Sequence, residues 1–154
     1  MCFSASASFI AGASISAIGI ATVKKAKTKS EIPFASLPLL FGMQQFIEGI
    51  VWLTFTRNIP VLLQTIATYA YTLFAYVLWP LILPISIRLL EPIPWRKNVL
   101  SALLVIGLSV GLYLLYFIVR FPVTPKVVNE SIVYQFFHPF GHIVFYFYFI
   151  ATCF

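Results

Sequence analysis

Long apolar stretches alternate with short polar breaks along the whole chain. Five of these stretches are uncharged or nearly so and long enough for a helix to cross a hydrocarbon core about 30 Å thick. They lie near residues 4–23, 33–56, 61–87, 98–119 and 131–154. The pattern predicts an all-α polytopic membrane helix bundle, with five transmembrane helices in a single transmembrane domain, residues 1–154.

The breaks between the stretches differ in positive charge, and this difference predicts the orientation of the bundle. The first and third breaks together hold seven Lys and Arg residues, whereas the second and fourth together hold three. Cytoplasmic loops of membrane proteins carry an excess of Lys and Arg. We therefore expect the first and third breaks on the cytoplasmic side and the N-terminus outside.

Composition supports the membrane class and argues against nucleic acid as a partner. The chain is 61% hydrophobic and 9% charged, against about 25% charged residues in a soluble domain. Its net charge is +6, but the ten Lys and Arg residues lie at segment ends and form no basic face. The expected partner is the lipid bilayer.

The two cysteines give little chemical information. Cys2 and Cys153 lie near opposite ends of the chain and form no CxxC motif, so neither a disulfide framework nor a thiolate metal site is indicated. Cys2 could be an exposed thiol, an acylation point or a small residue at the start of the first helix.

Small residues recur at helical spacing in two of the predicted helices. Such residues let helix backbones approach closely, and they suit a homo-oligomer or a larger membrane complex. In the fourth helix the alternative is the general frequency of glycine in membrane helices. The residues are Ser4, Ser8, Gly12 and Ser16 in the first helix, and Gly107 and Gly111 in the fourth.

Three ionisable residues fall inside the predicted spans, where such groups usually face the protein interior and have a function. These are Glu48, His138 and His142, and Gln44 and Gln45 share a helix face with Glu48. A rise of about 1.5 Å per residue places Glu48 and the two histidines at similar depths, roughly 10 to 16 Å below the outer helix ends. The sequence therefore predicts a polar site in the outer half of the bilayer.

The chemistry of this site remains open at the level of sequence. Glu48, His138 and His142 would make a ligand set for Zn²⁺ or non-haem iron, with a position left for water. The same groups could instead form a proton-linked polar lock, or the histidines could simply pack. Pro139 and Gly141 flank the pair and weaken the helical spacing on which a metal site depends.

The segments MCFSASASF, IPFASLPLLFGMQQFIEGIVWL and FFHPFGH together resemble a family of small multi-pass membrane proteins, mostly prokaryotic, that begin MCFSA and contain a domain of unknown function. The resemblance implies a prokaryotic plasma (inner) membrane and brings no activity or cofactor. Family members continue with further helices, and Phe154 directly follows an apolar run. Either the C-terminus lies in the membrane interface or the chain is the first part of a longer protein, for example one with seven helices, and the resemblance favours the second alternative.

A looser similarity is to the seven-helix zinc hydrolases that include alkaline ceramidases, which carry an HxxxH pair on a late helix. Only His138 and His142 match that pattern, and the chain has no Asp and no third histidine. Three functions thus remain open from the sequence. They are a proton-linked carrier or small-ligand binder, a metal-dependent enzyme acting on a lipid or small amphipathic substrate, and a structural subunit of a membrane complex.

Overall fold

The computed structural model describes residues 4–57 and 59–153, and most of these residues are helical. The predictions made for Cys2 and for Phe154 lie outside this range. In chain order the elements are α1 (Ala5–Lys25), α2 (Ile32–Ala35), α3 (Leu37–Thr56), α4 (Val61–Leu73), a π-helical segment (Phe74–Leu78), α5 (Trp79–Leu90), α6 (Pro94–Arg120), β1 (Thr124–Val128), β2 (Ser131–Gln135) and α7 (Gly141–Thr152).

Four helical segments in the described part of the chain are long and apolar enough to cross a membrane. They are Ala5–Lys25, Ile32–Thr56, Val61–Leu90 and Pro94–Arg120. Each corresponds to one of the first four predicted spans. Three of their starts follow ordinary helix chemistry. Ser4 Oγ accepts a hydrogen bond from Ala7 N at 3.2 Å, and proline occupies the first turn of the second and fourth segments.

The fifth predicted span is not a single helix, and the fold is therefore not all-α. Residues 131–135 form β2, which pairs with β1 in an antiparallel hairpin. Asn129 and Glu130 both have positive φ angles, of 47° and 58°, as a tight two-residue hairpin turn requires. Only Gly141–Thr152 is helical, and its 12 residues extend about 18 Å, well short of a full span.

The hairpin packs on one end of the helix bundle. Residues alternate along β2, so Ile132 and Tyr134 are buried while Val133 and Gln135 are exposed. The buried side chains join a core cluster contributed by the C-terminal ends of α3 and α6 and by α4. The helical members of that cluster are Val51, Trp52, Ala67, Tyr71 and Ile118.

Helices α1 and α3 run antiparallel in close contact. A Cβ atom added to Gly12 would lie 3.1 Å from the Gly42 carbonyl oxygen, and one added to Gly42 would overlap Ser16. Ser8 is fully buried in the same helix. Three of the small residues noted in α1 therefore lie inside the bundle, and Ser4 forms the N-cap of the helix.

Proline shapes the long helical segment Val61–Leu90. In the π-helical segment the amide of Trp79 bonds to the carbonyl of Phe74, one residue further back than in an α-helix. The amide that would pair next, with the Ala75 carbonyl, belongs to Pro80 and carries no hydrogen. The Tyr148 hydroxyl on α7 donates to this Ala75 oxygen at 2.5 Å, so the missing amide is replaced by a bond that docks α7.

A second close approach joins this segment to α6. The carbonyl of Pro80 would normally accept from residue 84, which is also a proline and has no amide hydrogen. This oxygen faces Gly107, where any Cβ atom would overlap it. Gly111, one turn further on, has only ordinary contacts with Val77 at 3.6 Å or more.

Candidate ligand-binding cavity

A cavity of about 600 Å³ lies between the hairpin, α7 and the middle of the long helical segment. Its volume falls within the range of about 300 to 1,000 Å³ that is usual for small-molecule sites. Most of its wall is apolar, and its polar groups belong to tyrosine and histidine. The polar residues of the lining are Tyr71, Tyr76, Tyr134, Tyr148, His138 and His142.

Local structure explains how the tyrosines reach the cavity. The alternation of β2 turns Tyr134 inward, where its ring stacks on that of Tyr71 at a centroid distance of 4.3 Å. Tyr76 belongs to the π-helical segment and meets Phe136 edge to face at 5.3 Å. Tyr148 is held by its bond to Ala75. The four phenol rings thus come from four different elements, α4, the π-helical segment, β2 and α7.

The turn between β2 and α7 brings the two histidines to the cavity. His138 lies before α7, its Nδ1 is 3.2 Å from the Phe136 carbonyl oxygen, and its ring lies 4.8 Å from the Phe136 ring. His142 lies in the first turn of α7 and is exposed. The hydroxyl of Tyr113 donates to the carbonyl of Pro139 and ties this turn to α6.

The expected helical stacking of the two histidines is therefore wrong. Pro139 restricts the residue before it to extended backbone, and Phe140 adopts a left-handed conformation with φ of 58°. The helix can begin only after these residues, at Gly141. His138 and His142 line one cavity, but they do not lie one turn apart on a helix.

Glu48 forms a separate polar group with the two glutamines of α3. Gln45 Nε2 donates to Glu48 Oε2 at 3.2 Å, and Trp79 Nε1 donates to Gln44 Oε1 at 2.6 Å. Glu48 is fully buried, and its Oε1 atom has no hydrogen-bond partner in the described part of the chain. The helical spacing of Gln44, Gln45 and Glu48 therefore produces one internal polar cluster.

The stacked pair Tyr71 and Tyr134 connects this cluster to the cavity. Both rings line the cavity, and both phenols interact electrostatically with Glu48. Gln44 also interacts with the side chain of Tyr71. Burial, with a smaller contribution from Tyr71 and Glu48, raises the pKa of Tyr134, so this phenol stays protonated.

Glu48 and the histidines do not combine into a metal site. Within residues 4–57 and 59–153, no group of three or more His, Cys, Asp or Glu side chains is arranged to hold a metal ion. Glu48 bonds to Gln45, while His138 bonds within its own turn. The prediction of a Zn²⁺ or iron ligand set is therefore corrected. Glu48 and the two histidines belong to two separate polar groups, and the pair Tyr71 and Tyr134 lies between them.

Of the four cavity tyrosines, the sequence pattern placed only Tyr71 in the outer half with the predicted polar site, and Tyr76, Tyr134 and Tyr148 were missed. Periodicity could not find them, because Tyr71, Tyr76, Tyr134 and Tyr148 are spread over 78 positions. One local pattern was available. Alternation in the segment SIVYQ, directly after the NE turn, favours a strand with Ile132 and Tyr134 on one face.

Helix length and hydropathy define the chain as a helical membrane protein. A family model described as a family of unknown function, DUF6629, matches residues 1–154, and the chain belongs to this family. This agrees with the resemblance to an uncharacterised family beginning MCFSA. No curated protein and no solved structure matches the chain.

Proposed function

We propose that this protein binds a small amphipathic molecule in the tyrosine-lined cavity, within the outer half of the bilayer. The observation that supports this proposal is the cavity itself, about 600 Å³ in volume with aromatic walls and few polar groups. Such a combination of apolar wall and placed polar groups is typical of small-ligand sites. The two histidines lie where β2 is connected to α7, and there they can contact the polar end of a ligand.

The same proposal includes the orientation of the bundle in a prokaryotic plasma membrane. The Lys-rich turn after α1 and the turn before α6 lie on the cytoplasmic side, and the hairpin lies outside. The helical segment Val61–Leu90 has 30 residues and its middle falls between Ala75 and Tyr76, so Tyr71 lies in the outer half of the segment and Tyr76 at its centre. The cavity then extends from the outer face to near the middle of the hydrocarbon core.

Filling the cavity tests this function. Ala75 lines the cavity, and Ala75→Leu adds three carbon atoms inside it without removing the backbone oxygen that Tyr148 binds. We expect this variant to lose at least about tenfold in affinity for cavity ligands, the cost of a steric conflict of ~1.4 kcal/mol or more. Ligands would be found by thermal-shift screening of purified protein, and affinity measured by quenching of intrinsic fluorescence.

The matched control is Ala102→Leu, which makes the same change at an exposed position of α6 outside the cavity. Its affinity should equal that of the wild type. If ligands bind Ala75→Leu and wild type equally well, the cavity is not where they bind, and the proposed function is wrong.

A further inference from the structure

The cavity wall is built from aromatic rings that meet at different angles. Tyr71 and Tyr134 are nearly parallel, with 15° between their planes, whereas Tyr76 and Phe136 are tilted by 68°. The face of an aromatic ring carries partial negative charge and attracts cations, most strongly where water is excluded. Several faces around one space form the kind of cage that binds alkylammonium groups.

The charges around the cavity also favour a cation. Its lining contains two imidazoles but no Lys or Arg among the described residues. Glu48 lies behind this wall and interacts electrostatically with both Tyr71 and Tyr134. Among the described residues, the ion pair between Arg96 and Glu91 lies away from the cavity, in the turn before α6. A cation in the cavity would therefore meet no Lys or Arg in its wall and would have the Glu48 carboxyl group behind two of the rings.

We infer that the cavity binds an organic cation, an alkylammonium group of the choline type, between its aromatic rings with Glu48 as the counter-charge. This inference rests on the proposed function and specifies the ligand class. The ammonium group could belong to a free solute or to the headgroup of a lipid. Both sources share the same recognition chemistry, and they differ in whether an acyl chain is needed for binding.

The test compares choline with 3,3-dimethyl-1-butanol, which has the same shape but no charge. The protein is placed in nanodiscs of phosphatidylglycerol, which contains no amine headgroup, and binding is measured by isothermal titration calorimetry. We expect wild type to prefer choline by about tenfold or more, in line with a desolvated cation in an aromatic site. A third titrant, dihexanoyl phosphatidylcholine, distinguishes the lipid source, because it alone binds if an acyl chain is required.

Variants of single side chains test which of them cause the preference for choline over the neutral alcohol. Glu48→Gln keeps the shape of the side chain and should reduce the preference for choline to within about twofold. Glu130→Gln makes the same charge change on the hairpin turn and should leave it unchanged. If Glu48→Gln does not fold, Tyr76→Leu should lower choline affinity about fivefold, whereas Tyr76→Phe, which keeps the ring, should not.

The outcomes separate this inference from the proposed function. If the neutral alcohol binds as well as choline, the cation inference is overturned while the cavity remains a ligand site. If the preference survives Glu48→Gln in a folded protein, the assigned counter-charge is wrong. If none of the three titrants binds, the cation inference fails, and the screen with Ala75→Leu then decides separately whether the cavity binds any ligand.

Discussion

At the scale of single residues, Phe140 has a backbone conformation that residues with a Cβ atom rarely adopt. Its φ of 58° and ψ of 32° lie in the left-handed region, which is unfavourable by about 1 to 2 kcal/mol for a residue other than glycine. Its side chain is 71% exposed, so little packing offsets this cost. The strain is retained in the turn that aligns His138 with the cavity.

Phe140→Gly should therefore raise thermal stability, because it removes the strained Cβ contact. We expect a gain of up to about 1 kcal/mol, reduced by the greater freedom of glycine in the unfolded chain. Phe140→Ala is the control, since it removes the ring and keeps the Cβ atom. In detergent, the glycine variant should have a higher melting temperature than the alanine variant. A higher melting temperature for the alanine variant would show that the backbone of Phe140 is not strained.

Sequence reasoning at this scale succeeded where residues share one helix. The grouping of Gln44, Gln45 and Glu48 follows from their spacing, because α3 is continuous through them. It failed for His138 and His142, because Pro139 and Phe140 interrupt the helix on which the argument depended. Contacts such as Tyr71 with Tyr134 depend on how distant elements pack, and spacing carries no information about them.

At the scale of elements, the four long helices could be predicted from length and hydropathy alone, since a membrane span demands both. β2 was mistaken for part of the fifth helix, because its residues lead into the apolar stretch of α7 without a charged residue between them, whereas β1 fell in the fourth predicted break. Hydropathy summed over a window cannot separate the two. The period-2 alternation of Ile132 and Tyr134 can, but it extends over only five residues of β2.

The two glycines of α6 should respond differently to the same substitution. Gly107→Ala would place a Cβ atom against the Pro80 carbonyl oxygen, which belongs to the backbone and cannot move aside. We expect a loss of about 1 to 3 kcal/mol of stability. Gly111→Ala meets only ordinary contacts and should be neutral or slightly stabilising, given the better helix propensity of alanine.

Thermal or denaturant unfolding of the purified variants, followed by circular dichroism, measures this difference. Equal losses for Gly107→Ala and Gly111→Ala would mean that the approach of Pro80 to α6 is not a determinant of stability. The comparison also tests how α5 packs on α6, which the GxxxG pattern of the sequence could not specify.

At the scale of the whole molecule, the charge distribution predicts which end of the bundle faces the cytoplasm. The tip of the hairpin carries Glu130, and the turn after α1 carries Lys29, at opposite ends of the bundle. Single-cysteine variants Glu130→Cys and Lys29→Cys, in a chain with Cys2 and Cys153 changed to serine, report on the two sides.

A membrane-impermeant maleimide applied to intact cells should label Glu130→Cys at once and Lys29→Cys only after the membrane is permeabilised. The opposite pattern would invert the bundle and place the cavity in the cytoplasmic half. Labelling of both sites in intact cells would contradict an odd number of crossings between them.

The origin of the cavity walls also determines when the site can form during synthesis. Tyr71 and Tyr76 lie near the middle of the chain, whereas Tyr134, His138 and Tyr148 lie in its last quarter. The α1 and α3 pair can associate as soon as it enters the bilayer, because its contacts are local in sequence. The rings that meet in the cavity can come together only after α7 has left the ribosome, so we expect a nascent chain stalled before residue 131 to insert into the membrane without forming the cavity.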